Sequence, residues 1–394
     1  MDILQGTIVV KTLQGLESLL ADEMSRLGAP APEIRTRAVV CEGTGNPELL
    51  YRLNFHLRTG LRVYVKLSEG RVSDYDDLYA HVKEMAWETL FRSSQTLAVH
   101  ATCYSDVFTH SHFTALKVKD AIVDKLREST GRRPNVDTQN PNYSVHILIR
   151  GLDMELYLDT SGEPLFKRGY REPGARAPLN ESLAAGLVML SNWQPDKDLL
   201  WDPMCGSGTI AIEAAMIQAG IAPGLLRENY GFQRWGTWDA ELFSGIKTEA
   251  ESMVQGVARP SIYASDKDGR QVRLAKSNAM AAGVLKHIRW SSGDFFHAKT
   301  PADRGVMITN PPYDERMALD DAVAFYKGIG DKMKADMQSW DAWIFSGQLD
   351  GMKHLGLRPG KKHKLYNGPI PCLYNHYELF SGKRNAHLAE SSET

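Results

Sequence analysis

Residues 199–218 read as a short apolar strand, a turn holding two glycines and an apolar helix, and that succession leaves a chain few folds to choose from. The turn is Asp202-Pro203-Met204-Cys205-Gly206-Ser207-Gly208-Thr209. Glycine has no Cβ, so Gly206 and Gly208 let the backbone turn tightly and come close to a bound molecule. The helix that follows starts with backbone N–H groups that have no partner inside it. A strand that feeds a helix in this way opens a βαβ unit. In an open sheet of such units, small molecules sit in the crevice beyond the carboxyl ends of the strands. The third position of a dinucleotide-binding fingerprint falls on Ala211, which that fingerprint tolerates, so the glycines alone leave the kind of ligand open.

The C-terminal half keeps this rhythm. Strands are expected at 199–203, 261–266, 288–291, 306–309 and 342–345, and helices at 183–190, 209–218, 270–282 and 321–337. Such alternation predicts an α/β domain with a mostly parallel, doubly wound sheet and helices on both faces. Residues 364–366, an Asn367-Gly368 turn and residues 372–379 predict a terminal antiparallel hairpin. We place this domain at 179–384, followed by a polar tail at 385–394. The stretch 221–259 interrupts the rhythm and carries Trp235 and Trp238; it reads as an insertion of no assigned shape.

The first half is a different, α+β pattern. It divides into a segment at 1–70, in which residues 35–42 read as one strand, and a second segment at 71–160 that ends in two strands across a Gly-Leu-Asp turn. Residues 161–178, rich in glycine, proline and arginine, read as a linker with Phe166 and Tyr170 as apolar anchors. A formal net charge of -2 excludes a blanket polycation, so any nucleic-acid contact must come from locally concentrated charge. Cys41, Cys103, Cys205 and Cys372 are far apart with no CxxC pair, which argues against zinc and a disulfide framework and fits a reducing cytosol. His110 and His112 lack a third ligand nearby, so no metal is expected. No apolar run approaches the roughly 20 residues that span a bilayer, and the expectation is a cytoplasmic protein without a membrane partner. Oligomeric state is left open.

Three further motifs follow the glycine turn. Asp266, in Tyr263-Ala264-Ser265-Asp266, ends the second strand, where a carboxylate can accept both hydroxyls of a ribose; Asp268 is the better helix cap. Asp294, in Ser292-Gly293-Asp294-Phe295-Phe296, can accept an adenine amino group with Phe295 beside the ring, or can simply form an Asx turn. The most specific is Asn310-Pro311-Pro312-Tyr313, after the fourth strand. Two prolines remove two N–H donors, leaving the Asn310 side-chain oxygen and the Pro311 carbonyl as acceptors. An exocyclic amino group offers two donors to them. Accepting both weakens conjugation of the nitrogen lone pair with its ring and makes that nitrogen a better nucleophile. Tyr313 supplies a face on which an extruded base can stack.

These four motifs, in this order, resemble the class I S-adenosylmethionine-dependent methyltransferases that act on exocyclic amino groups, which have a Rossmann-like catalytic domain. The first half resembles a ferredoxin-like segment followed by a THUMP RNA-binding domain. That likeness rests on Leu97-Ala98-Val99-His100-Ala101, His112-Phe113-Thr114, Val136-Asp137, Asn140-Pro141 and Val145-His146-Ile147. The run from Ser161 to Arg171 and Ala177-Pro178-Leu179-Asn180-Glu181-Ser182-Leu183-Ala184-Ala185 are similar to the THUMP-linked guanine-N2 methyltransferases, above all the bacterial enzymes of 23S ribosomal RNA. Asp314 stands where that family has glycine, and this chain is too short for the second methyltransferase domain some members carry.

The resemblance implies S-adenosyl-L-methionine held by Asp202, Pro203, Cys205, Gly206, Ser207, Gly208, Thr209, Asp266, Asp294, Phe295 and Asn310, with catalysis at Asn310, Pro311, Pro312 and Tyr313. It implies RNA as partner, ribosomal or alternatively transfer RNA, met by Lys117, Lys119, Arg132, Arg133, Arg168, Tyr170 and Arg171. The rival readings are a DNA amino-methyltransferase, which shares the Asn-Pro-Pro-Tyr loop, a non-catalytic RNA-binding factor, and a nicotinamide dehydrogenase.

Overall fold

The computed structural model describes residues 4–92, 94–171, 179–256, 259–312 and 319–380. The chain forms two compact units that interleave along the sequence. The first gathers the residues up to Thr12, Leu20–Leu165 and Arg227–Glu249; the second gathers Leu13–Leu19, Phe166–Leu226 and the residues from Ala250 onward.

The first unit is built on a seven-stranded sheet in the order β2-β3-β1-β4-β7-β6-β5. Its strands are β1 (Ile8–Thr12), β2 (Glu33–Arg35), β3 (Ala38–Cys41), β4 (Gly60–Arg71), β5 (Leu97–Tyr104), β6 (Tyr143–Arg150) and β7 (Asp153–Asp159). Helices α1 (Glu17–Arg26), α2 (Pro47–His56), α3 (Tyr75–Glu84) and α4 (Ser111–Thr130) connect them. Every neighbouring pair is antiparallel except β5 and β6. Residues 35–42, expected as one strand, instead straddle a tight hairpin. Arg37 has φ +57°, which reverses the chain so that Ile34 pairs with Val39. Side chains alternate across the pleat: in β6, Val145, Ile147 and Ile149 are buried, whereas Ser144, His146 and Leu148 are partly open. The long β4 pairs with β1 on one side and with β7 on the other, so the two segments read separately from sequence share one sheet.

The interrupting stretch of the sequence now has a shape. Residues 227–249 carry a short 3-10 turn at Gly231–Arg234 and most of α7 (Ala240–Ser252), and they fold onto the first unit. Phe232 stacks on Tyr51 of α2 with ring centroids 4.5 Å apart, and Trp235 lies parallel to Tyr143 of β6. Tyr230, Phe232, Trp235, Trp238 and Phe243 are the sequence signal for this, because so many aromatic rings require an apolar partner.

The second unit carries the expected α/β sheet, in the order β10-β9-β8-β11-β12-β14-β13. Its strands are β8 (Leu200–Asp202), β9 (Ile262–Asp266), β10 (Ile288–Ser292), β11 (Gly305–Thr309), β12 (Trp340–Ser346), β13 (Lys362–Asn367) and β14 (Ile370–Glu378). The five strands from β10 to β12 are parallel, and β14 and β13 close the edge as the predicted antiparallel hairpin. Helices α5 (Glu181–Leu190), α6 (Thr209–Gln218), α8 (Gly269–Ala281) and α9 (Leu319–Asp336) flank it. From Thr209 to Met216, α6 is buried on every face. Such a helix is apolar all round because it is covered all round, and each buried Ile or Met contributes about 1.5–3 kcal/mol. From β8 the chain steps outward to β9 and β10, then crosses back to β11 on the other side of β8. That reversal opens a crevice above β8 and β11, where such sheets place their ligands. No described helix is long and apolar enough to cross a membrane.

Candidate active site

A cavity of about 480 Å³ opens at the carboxyl ends of β8, β9 and β11, and the four motifs converge on it. The glycine turn forms its floor. Gly206 has φ +51° and nothing within 4 Å of where a Cβ would stand, so this stretch of backbone is bare toward the cavity. Its N–H donates to Asp266 Oδ2 at 3.0 Å, and Asp268 N–H donates to Asp266 Oδ1 at 2.9 Å. The Asp266 carboxylate is thereby fixed at the cavity wall with lone pairs to spare. Asp268 caps α8 through the N–H of Arg270, as expected. Pro203, Cys205, Ser207 and Thr209 also line the space.

Asp202 also lines the cavity, although it is 1% exposed. It accepts the N–H of Met204 at 3.4 Å, and burial pushes its carboxyl up to about 8. Burial, reinforced by Asp202 and Asp266, also drives the Cys205 thiol well up, so that sulfur is an inert wall.

On the opposite side stand Asp294, Phe295 and Asn310. Asp294 does both things its sequence allowed: it closes an Asx turn by accepting Phe296 N–H at 3.0 Å, and it lines the cavity. Phe295 is 3% exposed and packs on Trp201, with Phe296 beside it. Asn310 leaves β11 into Pro311 and Pro312, all three at the cavity wall. Its Oδ1 is buried and has no hydrogen-bond partner among the described residues. A buried acceptor without a partner costs about 1–3 kcal/mol, which a ligand N–H would recover. Tyr313 lies outside the described residues.

Gly208 corrects the expectation attached to it. It does not reach the cavity: at φ +83° it starts α6, and a Cβ there would stand 2.9 Å from Ala275 Cβ of α8. This glycine lets two helices approach. Leu179, Met204, Ile210, Lys267, Phe296 and Phe325 line the cavity but were not singled out from sequence. Of these, Met204 and Phe296 belonged to motifs already noticed and Leu179 to a run quoted for the resemblance, while Phe325 lies on α9 and only the fold brings it here.

The expected RNA contacts divide. Arg168 and Tyr170 are buried, and Arg168 lies 3.6 Å from Glu213 on α6, to which Tyr170 Oη donates at 3.1 Å. Arg171 Nη2 donates to the Leu179 carbonyl at 2.6 Å and to Thr209 Oγ1 at 2.9 Å, and its Nε pairs with Glu181. These three residues brace the second unit, and the burial of Arg168 and Tyr170 does not fit a surface that meets RNA. The signal was Glu213, a carboxylate in the middle of an apolar helix that had to find a cation. On α4, Lys117 pairs with Asp76 and Lys119 with Asp120, while Arg132 and Arg133 are exposed.

The comparisons with known proteins agree with this geometry. Residues 168–376 match the RMKL-like methyltransferase domain, 72–159 the THUMP domain and 7–64 the RlmL ferredoxin-like domain. The protein slr0064 of Synechocystis sp., which carries an RNA-methyltransferase name, is 36% identical over 93% of this chain and 95% of its own length. Ribosomal RNA large subunit methyltransferase K/L of Psychromonas ingrahamii is 37% identical over 96% of this chain, and that of Syntrophotalea carbinolica 36% over 93%. The chain spans about half the length of these two relatives, 50% and 52%.

Among solved structures, SMU.472, crystallised with SAH, superposes with a TM-score of 0.86 at 29% identity over 96% of this chain and 99% of its own. A Listeria monocytogenes protein described as a predicted N6-adenine-specific DNA methylase gives 0.84 at 29% identity over 95% and 96%. TrmN of Thermus thermophilus, at 21% identity, gives 0.69 over 95% and 99% and shares the fold. With a THUMP domain and a ferredoxin-like domain ahead of its catalytic sheet, the chain belongs to the RMKL-like methyltransferase family, whose cofactor is S-adenosylmethionine.

Proposed function

We propose that this protein methylates the exocyclic N2 amino group of a guanosine in large-subunit ribosomal RNA. One observation carries the chemistry: the buried Oδ1 of Asn310, without a partner among the described residues and followed by two prolines that offer no N–H. Residues suited to the cofactor surround it. Asp266 would accept from its ribose, Asp294 from its adenine, and the bare backbone at Gly206 would lie beneath it. S-adenosylmethionine supplies an electrophilic methyl group on a sulfonium. The chain's own task is to present the nucleophile. Asn310 Oδ1 accepts one amino hydrogen and the Pro311 carbonyl the other, which turns the nitrogen lone pair out of conjugation with the base. Phe295, Phe296 and Phe325 keep the reaction space dry. Buried Asp202 and Cys205 add no competing nucleophile, because burial raises both. Positioning supplies most of the rate.

The large-subunit substrate is supported by the names of the relatives from Psychromonas and Syntrophotalea and by the THUMP match. The test is nucleoside mass spectrometry on ribosomal RNA, transfer RNA and DNA, each separated, from cells with and without this protein. Loss of N2-methylguanosine from large-subunit RNA alone is the expected result. Loss from transfer RNA, or of N6-methyladenine from DNA, would reassign the substrate.

A further inference from the structure

A further cavity, of about 270 Å³, is lined by residues of the first unit. Five separated stretches build it: Arg62 on β4, the face of β5 and β6 that bears His100 and His146, the loop at 138–142, residues 161–163, and residues 229–234 of the interrupting stretch. It is a constructed pocket. Arg234 Nη1 donates to the Pro141 carbonyl at 2.9 Å, tying two walls together. Phe232 N–H donates to the Thr160 carbonyl at 3.0 Å, and Gly231 comes so close that a Cβ would stand 3.0 Å from Gly162 N.

The lining has a consistent chemistry. His100 is exposed, and its ring lies against that of His146, with centroids 4.8 Å apart and planes tilted by 33°, so the His100 ring offers an aromatic face. Burial lowers both imidazoles, His146 to about 3, so they act as neutral rings. The cationic groups are the guanidiniums of Arg62 and Arg234. Arg62 is partly engaged by buried Asp159, while among the described residues the Arg234 guanidinium donates to the Pro141 carbonyl through Nη1. Glu163 is at the rim and disfavours a bare polyanion. Asn140 and Asn142 add amide groups.

We propose that this cavity takes one unpaired nucleotide of the RNA substrate, its base over His100 and its phosphate toward Arg234. Stacking on a flat ring, a guanidinium and amides within a space of this size are how single-stranded RNA is held. The pocket thus sets which RNA the enzyme engages, and the interrupting stretch exists in part to build its wall. The inference rests on the reading that the substrate is RNA.

The test uses the full chain and a short, unstructured RNA, with affinity followed by fluorescence anisotropy. His100→Ala removes an exposed ring. Arg234→Gln removes the charge and shortens the side chain, and a thermal melt checks that the variant stays folded. Each is expected to weaken RNA binding by about fivefold or more, with S-adenosylhomocysteine affinity unchanged by calorimetry. A nucleoside monophosphate should compete with the RNA, and inorganic phosphate at the same concentration should not. Wild-type RNA affinity in both variants would overturn the proposal, as would inorganic phosphate competing equally well, which would mark an anion site only. If the wild-type chain methylates ribosomal RNA while both variants bind as it does, the pocket falls and the function stands. If the wild-type chain binds no RNA, both fall.

Discussion

The two sheets of this protein have seven strands each and opposite logic. In the second unit five strands run parallel, so their carboxyl ends all meet one edge, and a motif at each end is delivered to one crevice. Asp202, Asp266, Asp294 and Asn310 come together although more than a hundred residues separate the first from the last. In the first unit the strands are mostly antiparallel and their ends alternate between edges. No such convergence follows from topology. Its candidate pocket depends on side chains across the sheet face and on a segment brought from the middle of the other half of the sequence. A parallel sheet concentrates function at chain positions that can be anticipated; an antiparallel one distributes it over a face.

The largest effect should fall on the parallel sheet. Asn310→Ala removes the acceptor that orients the amino group, and loss of one preorganised transition-state contact costs roughly 10²–10³-fold in kcat. S-adenosylhomocysteine affinity, read by calorimetry, should stay within about threefold of wild type, under 1 kcal/mol. Unimpaired turnover would remove Asn310 from the chemistry, and lost cofactor affinity would move its role from substrate to cofactor.

The next prediction tests whether the interrupting stretch belongs to the first unit in stability as it does in packing. Phe232 is 1% exposed and stacks between Tyr51 and Tyr230. Phe232→Ala should cost about 3–5 kcal/mol. Hydrogen exchange should locate the loss in β4, β6 and α2, while the cofactor still binds. Exchange spread evenly over both sheets would break the comparison, because the two units would then unfold as one.

Within the glycine turn the comparison sharpens to two residues. Gly208→Ala meets a positive φ and a contact 2.9 Å from Ala275 Cβ, whereas Gly206→Ala meets positive φ alone. The left-handed conformation costs roughly 1–2 kcal/mol at either site, and overpacking adds about 1–3 kcal/mol at Gly208 only. Thermal denaturation should rank Gly208→Ala as the less stable variant, and cofactor titration should rank Gly206→Ala as the weaker binder among those that fold. The reverse ranking would mean that Gly206 serves packing and Gly208 the cavity.

These cases also show what sequence could and could not reveal. The sheet, its terminal hairpin and three of the four motifs were legible because their information is local: a strand, a turn and the residue at its end. Asn310 stood out because two prolines beside it make sense only where donors are unwanted. Tyr170 is buried as the anchor expected of it, whereas Arg168 was assigned to an RNA-facing surface because its decisive partner is not local. Arg168 in a glycine-rich stretch looks like a solvated cation until Glu213, forty-five positions on, is recognised as a buried carboxylate in need of one. The aromatic cluster at 230–243 announced burial, but nothing in the sequence said which sheet would receive it. Phe325 and Leu179 reached the cavity only through the crossing of the chain, which periodicity does not encode.

The smallest expected effect concerns Asp202, and it is again confined to the parallel sheet. The residue ends β8, is fully buried, and its carboxyl is raised by desolvation, then by nearby Asp266, against the opposing bonds from Met204 and Thr309. A carboxyl raised to about 8 from 3.8 keeps its proton in the folded chain over a range where the unfolded chain has released it. The folded state therefore binds more protons there, and stability must fall as pH rises through that window, levelling off above about 8. Asp202→Asn keeps an oxygen for the Met204 N–H and has nothing to titrate, so its slope over the window should be flatter. At about 1.4 kcal/mol per pH unit and about 2–4 °C per kcal/mol for a unit of this size, the difference in slope should show as a few degrees in Tm per pH unit within the window. Equal slopes for wild type and variant would mean that Asp202 is ionised when folded, held so by the backbone N–H groups of the turn. The cavity wall would then carry a negative charge at Asp202. That would favour the cationic sulfonium form of the cofactor over its neutral demethylated product.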